Sequence, residues 1–293
     1  MVEDRTTLEF PSSGMATARL CPPEGLVCVL AAGPGGHALR VLIDTGTDPA
    51  AMDSGLARRL ALRTGGKGTG QGAASDAVTF TEAVLPWLRI GEPSEAGLTI
   101  RELFAPALDL KALPFQVDVV LGYTVLRQLA LRIDYRRGTV TFAHPDLGLP
   151  AVAPRGARLA LDFFEHFPAL RDIEVGEIRI PLATIDTGSN AALSVGPDLA
   201  DQLGLRRDAA DVTLARGTGF GGAVDVVRRT CERLRIGPFV LRDVELDAHV
   251  TGEGDLGRVG RANLGNRLLS RFAAVTLDYE RRSIALEPPV AQG

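Results

Sequence analysis

Val41-Leu42-Ile43-Asp44-Thr45-Gly46-Thr47 and Ala183-Thr184-Ile185-Asp186-Thr187-Gly188-Ser189 follow one pattern: a largely apolar run that ends on an aspartate, a threonine, a glycine and a second hydroxyl residue. The two aspartates stand 142 residues apart, and the likeness continues beyond them in order. Leu56-Ala57, Leu60 and Leu62 return as Leu199-Ala200, Leu203 and Leu205, and Gly68-Thr69-Gly70 with Gly72 returns as Gly217-Thr218-Gly219 with Gly221. Leu88-Arg89-Ile90-Gly91 returns as Leu234-Arg235-Ile236-Gly237, Leu121-Gly122 as Leu264-Gly265, and Asp134-Tyr135 as Asp278-Tyr279. Six short matches in one order, with offsets that drift only between 142 and 149, identify an internal duplication. The chain accordingly divides into residues 1–146 and 147–293. A linker at about residues 144–158 is marked by Pro145, Pro150 and Pro154 among several glycines.

Within each copy the apolar segments are short, rich in Val, Ile and Leu, and bounded by Gly, Pro or Asp, which is the punctuation of strands. Strands are expected at Leu26–Ala31, Leu39–Ile43, Thr139–Phe142 and Ile178–Ile185. One helix per copy is expected after the aspartate turn, over Asp53–Leu62 and Pro197–Leu205, where Leu recurs at helical spacing. A shorter helix is expected after each Leu-Gly, over Tyr123–Leu129 and Asn266–Phe272. The fold class is mostly β with short helices.

The repeated turn carries the chemistry. A strand buried in a core fixes the aspartate backbone, the glycine two residues on permits a tight turn or a close backbone approach, and the threonine hydroxyl can brace the turn. Two such turns meeting across a pseudo-twofold axis bring two carboxylates within hydrogen-bonding distance, where like charge resists the second ionisation and the pair holds one proton. The ionised carboxylate can then take a proton from water while the protonated one polarises a carbonyl, with the two macroscopic titrations belonging to the pair. A single Asp-Thr-Gly also suits an ordinary turn after a strand; two copies in equivalent contexts favour the catalytic reading.

Asp44-Thr45-Gly46-Thr47 and Asp186-Thr187-Gly188-Ser189 resemble the active-site signature of the pepsin and retropepsin superfamily of aspartic proteases. The helix after each turn, with Leu-Ala and Leu-x-Leu, is similar to bacterial retropepsin-like proteins. The resemblance spans roughly residues 26–143 and 170–287. It implies an acid-protease fold of two homologous β-barrel-like lobes related by a pseudo-twofold axis, with Asp44 and Asp186 as the catalytic dyad at their interface. Thr45, Gly46, Thr47, Thr187, Gly188 and Ser189 are then turn-supporting residues, and the hydroxyls of Thr47 and Ser189 resemble those that bond the carboxylate in pepsins. The Gly-rich segments Thr64–Ser75 and Ala215–Gly222 lie where the family places its flaps, so Gly68, Gly70, Gly217, Gly219 and Phe220 are candidate substrate contacts. Neither segment has the tyrosine of pepsin flaps, and Asn263 stands where the family has an apolar residue before Leu264-Gly265.

Other chemistries find little support. Gly217, Gly219 and Gly222 fit G-x-G-x-x-G, but Ala223–Val227 reads as strand rather than the helix a dinucleotide site needs, and Lys67 lacks the Ser or Thr of a phosphate loop. Cys21, Cys28 and Cys231 have neither disulfide-framework nor metal spacing, and His37, His144, His166 and His249 are isolated in sequence. No cofactor and no metal are expected. With 32 basic and 36 acidic residues scattered along the chain, no nucleic-acid or anionic-lipid surface stands out, and no apolar stretch reaches membrane-spanning length. As written, the chain starts without a leader, which suggests a cytoplasmic location, or a periplasmic or secreted one if a leader was removed. The expectation is a single-chain aspartic endopeptidase acting on peptide or protein substrates as a monomer, an intramolecular pseudo-dimer. The alternative is a peptide-binding or assembly module that keeps the fold without turnover.

Overall fold

The computed structural model describes residues 3–73, 77–92, 96–147, 155–219, 222–249, 254 and 260–288. The described chain is mostly β with a few one- to two-turn helices, as the sequence pattern predicts. In the first half, Val78–Ile90 pairs antiparallel with Cys28–Ala32, which pairs with Ala38–Ile43. Ala38–Ile43 runs parallel to Val119–Leu121, which pairs with Ala51–Asp53, then Ala107–Leu108, and finally Val78–Ile90 again. The ring is closed, so the sheet is a barrel without a free edge along that path.

The second half repeats the ring with the same senses of pairing. Gly222–Ile236 pairs with Phe167–Val175, then Ile178–Asp186, which runs parallel to Ala262–Gly265. That strand pairs antiparallel with Leu193–Val195, which runs parallel to Phe239–His249, and Phe239–His249 closes on Gly222–Ile236. Each aspartate strand is therefore interior to a barrel, between an antiparallel and a parallel neighbour, and the three residues before each aspartate are buried on both faces. Val41, Ile43, Ile185, Leu121 and Leu264 are wholly buried, in one cluster that draws on both halves. A third, antiparallel sheet takes Met15–Arg19, Thr139–Ala143 and Ala130–Asp134 from the first half, and Ala274–Asp278, Ser283–Leu286 and Ala157–Ala160 from the second. Its central pair, Ala130–Asp134 with Ala274–Asp278, joins the halves by main-chain hydrogen bonds.

The helices are shorter than their leucine spacing suggests: Ser54–Arg59, Pro197–Gln202, Tyr123–Leu126 and Asn266–Leu269. The Asp53 carboxylate caps the first by accepting from the Leu56 amide at 3.0 Å. Ala61 at φ 47° and Gly204 at φ 67° then turn left-handed and stop the first two helices. The next amides reach back five residues, Leu62 to the Ala57 carbonyl at 3.0 Å and Leu205 to Ala200 at 2.8 Å. This is the Schellman bond, so the repeated Leu-x-Leu is a helix-ending device in both copies rather than a helical stripe. The linker is structured at both ends, by a short 3-10 turn at Pro145–Leu147 and by the strand from Ala157. Both Gly-rich segments form hairpins, Thr64–Gly70 with Val78–Ile90 and Thr213–Gly219 with Gly222–Ile236, and Phe220 lies outside the described residues. All three cysteines are free thiols. Among the described residues no helix is long and apolar enough to cross a membrane.

The glycines of the two Leu-Gly pairs are required by space. A Cβ on Gly122 would strike the Thr47 and Pro49 carbonyls, and one on Gly265 would strike the Ala191 carbonyl and approach the Ser189 hydroxyl at 3.0 Å. Gly265→Ala is expected to destabilise the protein by about 1–3 kcal/mol, the range for overpacked sites. A urea titration with an unchanged midpoint would contradict this close approach.

Candidate active site

The two aspartate turns meet, and threonine is what joins them. The Thr45 amide donates to Thr187 Oγ1 at 3.1 Å, and the Thr187 amide donates to Thr45 Oγ1 at 3.1 Å. Each hydroxyl donates onward to the strand that carries the opposite aspartate, Thr45 Oγ1 to the Ile185 carbonyl at 2.6 Å and Thr187 Oγ1 to the Ile43 carbonyl at 2.7 Å. Both side chains are buried, so four bonds replace water at four polar backbone groups. The hydroxyl thus braces the partner turn, not its own.

Each turn is closed locally as well. Asp44 Oδ1 accepts from the Gly46 amide at 2.7 Å, and Asp186 Oδ1 accepts from the Gly188 amide at 2.9 Å. The helices after Leu-Gly tie down the next residue, through Tyr123 N–H to the Thr47 carbonyl at 2.8 Å and Asn266 N–H to the Ser189 carbonyl at 2.7 Å. This explains why Asp-Thr-Gly and Leu-Gly recur together.

The glycines let the carboxylates cross. A Cβ on Gly46 would lie 2.6 Å from Asp186 Cγ, and one on Gly188 would overlap Asp44 Cγ. Each carboxyl therefore packs against the glycine of the other turn. Burial raises the pKa of Asp44 well above the carboxylate range, with the Asp186 charge adding to the effect. Burial also raises Asp186, against opposing bonds from Asn263, Asp44 and the Gly188 and Ser189 amides. Asp44 is 6% exposed, while Asp186 is partly open. The arrangement can hold one proton between two carboxyls and give or take it.

The two hydroxyl residues after the glycines behave differently. Thr47 Oγ1 donates to Asp44 Oδ2 at 2.6 Å, as the resemblance implies, whereas Ser189 Oγ accepts from the Ala191 amide at 3.3 Å. On the second side the donor is the Asn263 amide, whose Nδ2 lies 3.0 Å from Asp186 Oδ2. The signal was present in sequence as a polar residue inside an otherwise buried strand, but only the fold aims it at Asp186. His166, isolated in sequence, meets Asp48 at 2.6 Å and stacks on Tyr123 at a centroid distance of 4.6 Å. Gly68 lies under the Phe80 ring, where an added Cβ would be 2.6 Å from Phe80 Cζ. Among the described residues no group of three or more His, Cys, Asp or Glu is placed to hold a metal ion.

Residues 172–278, which include Asp186, Asn263 and Leu264-Gly265, match the family model described as aspartyl protease. Among solved structures, a retropepsin-like aspartic protease from Rickettsia conorii is similar at 17% identity and a TM-score of 0.34, over 47% of this chain and 96% of that one. No curated protein sequence matches.

Two outcomes test the site. Thr187→Val removes one donor and one acceptor and leaves the Thr45 N–H and Ile43 C=O buried without partners, so it is expected to cost about 2–6 kcal/mol at 1–3 kcal/mol per orphaned group. Thr187→Ser, which keeps the hydroxyl, should recover most of this in chemical denaturation; equal losses in both variants would contradict the bracing role. The raised Asp44 pKa also sets a pH dependence. Its contribution to stability is fully present below the unfolded aspartate value of about 3.9 and is lost as pH rises through the native value. Asp44→Asn removes that titration, so the loss of stability between about pH 4 and pH 7 should be smaller in the variant than in the wild type. Parallel stability curves would contradict the shift.

Proposed function

We propose that this chain, which carries aspartyl protease family sequence over residues 172–278, is an endopeptidase in which Asp44 and Asp186 act as one dyad between two lobes. The lobes correspond to residues 1–146 and 147–293 and are related by a pseudo-twofold axis, so that one chain supplies both halves of the site and works as a monomer. The observation that carries this reading is the convergence of two Asp-Thr-Gly turns, joined through Thr45 and Thr187, whose carboxyls each pack against the other turn's glycine and are both pushed toward the protonated form.

The reaction follows from the shared proton. The ionised carboxylate accepts a proton from a water molecule, and the water oxygen bonds to the carbonyl carbon of the scissile peptide. The protonated carboxyl hydrogen-bonds to the carbonyl oxygen and neutralises the charge that develops there. Collapse of the tetrahedral species breaks the C–N bond, the amine leaves with a proton from the dyad, and the carboxylic acid product departs. No covalent enzyme intermediate is formed. The hairpins bearing Gly68 and Gly70, and Gly217 and Gly219, are proposed to close over an extended substrate whose backbone they meet.

The test is mass-spectrometric cleavage of a diverse peptide library across about pH 3 to 8 by wild type, Asp44→Asn and Asp186→Asn. Each substitution alone should lower the rate by at least about 10²–10⁴-fold, the usual contribution of a general acid or base, and the wild-type profile should be bell-shaped. A folded wild type that cleaves nothing at any pH would exclude the protease and point to a peptide-binding or assembly module. Activity surviving in either variant would exclude the shared dyad.

A further inference from the structure

The two halves build the rung behind their aspartates from opposite chemistries. Side chains alternate along a strand, so the residue two before each aspartate shares its face. In the first half that residue is Leu42, whose cross-strand neighbours are Cys28 and Val120, with Ala51 beside Val120. All four are buried in one small apolar cluster. In the second half it is Thr184, and the rung continues in register through Asn263, Ser194, Asp247 and Arg228. Thr184, Asn263, Ser194 and Asp247 are all buried, and Arg228 closes the row with a bidentate pair to Asp247 at 2.7 and 2.8 Å. Burying such a row is costly unless every member is bonded, so a residue kept polar there needs a reason.

Asn263 provides one. Its Oδ1 accepts from Thr184 Oγ1 at 2.8 Å, a shorter contact than the one the same hydroxyl makes with the Ala262 carbonyl at 3.1 Å, and this orients the amide so that Nδ2 donates to Asp186 Oδ2 at 3.0 Å. An amide NH2 can only donate, so it requires a lone pair on Asp186 Oδ2. The contact on the other aspartate is a hydroxyl, Thr47 Oγ1, which can donate to a carboxylate or turn and accept from a carboxylic acid. A partner that can only donate bonds a carboxylate more strongly than an acid and offers a proton on Oδ2 no acceptor, so the ionised form is favoured on the Asp186 side, while the hydroxyl on the Asp44 side serves either form. We propose that Asn263 is a positioning residue that holds Asp186 as the ionised member of the pair and leaves the shared proton on Asp44. The inference rests on the dyad reading above and gives its two members different roles: Asp186 takes the proton of the attacking water, and Asp44 presents its proton to the substrate carbonyl.

The pKa directions agree, since the Asn263 bond opposes the rise at Asp186 while Asp44 is pushed up by burial and by the Asp186 charge. Other ionisable groups on the faces that meet the pair are Tyr279, whose pKa Asp44 helps raise, the mutually paired Asp247 and Arg228, and His249 and Arg261, each two residues along from a member of the rung.

The experiment is a 13C-carboxyl NMR titration of the full chain, with signals assigned through Asp44→Asn and Asp186→Asn, beside the pH profile of kcat/KM. Asn263→Val installs the residue found at the matching place in the first half. It removes a bond that stabilises the singly ionised pair more than the doubly protonated one, so the lower apparent pKa of the pair should rise by about one unit or more. The upper one should stay, because Asp186 is ionised on both sides of that step. Thr184→Val, which releases the orientation of Asn263 and also removes the hydroxyl from the Ala262 carbonyl, should move the same limb by less and serves if Asn263→Val does not fold. A lower pKa unchanged in the folded variants overturns the proposal. So does a fall in the upper pKa instead, which would place the proton on Asp186 with the Asn263 carbonyl accepting it. The titration needs no turnover, so a wild type that cleaves nothing sinks the protease reading while the carboxyl shifts still decide the role of Asn263.

Discussion

Everything at the centre of this molecule depends on the exchange of hydrogen bonds between Thr45 and Thr187. Each threonine gives its amide to the other's hydroxyl and its own hydroxyl to the strand that bears the opposite aspartate. Neither turn is complete alone, because the buried amide of one has its partner in the other. Each aspartate is held by neutral donors, Asp44 by the Gly46 amide and the Thr47 hydroxyl and Asp186 by the Gly188 amide and the Asn263 side chain. The cost of their burial appears as the raised pKa of both.

The surrounding structure serves this contact. Each Asp strand lies inside a closed barrel, so its backbone cannot drift, and each following turn is pinned by the helix after Leu-Gly. The six-stranded sheet, with its central pairing of Ala130–Asp134 to Ala274–Asp278, ties the two halves by backbone bonds at a second place. With two independent ties, the relative placement of the turns does not rest on side-chain packing alone.

Two halves with the same strand pairing need not carry the same side chains, and they differ where it bears on charge. The apolar rung of Leu42, Val120 and Ala51 in one half corresponds to the polar rung of Thr184, Asn263, Ser194 and Asp247 in the other. A symmetric pair built from two identical chains has no means of deciding which carboxyl keeps the proton. Two unlike environments in one chain do.

Much of this was legible in the sequence by itself. The repeated order of short motifs, the mostly β character and the position of both Asp-Thr-Gly turns follow from local pattern, since strand alternation, turn glycines and repeated order are properties of neighbouring residues, while the Gly-rich segments were placed through the family resemblance. Helix ends were misjudged because Leu60, Leu62, Leu203 and Leu205 keep helical spacing while a left-handed Ala61 or Gly204 ends the helix, and a backbone angle at alanine leaves no mark in a residue pattern. Only the tertiary structure decided that the threonines brace each other's turns, that Asp48 meets His166, and that Asn263 is aimed at Asp186. Each of these is a contact across many residues of chain, and its direction is set by how the strands register in space rather than by spacing along the sequence.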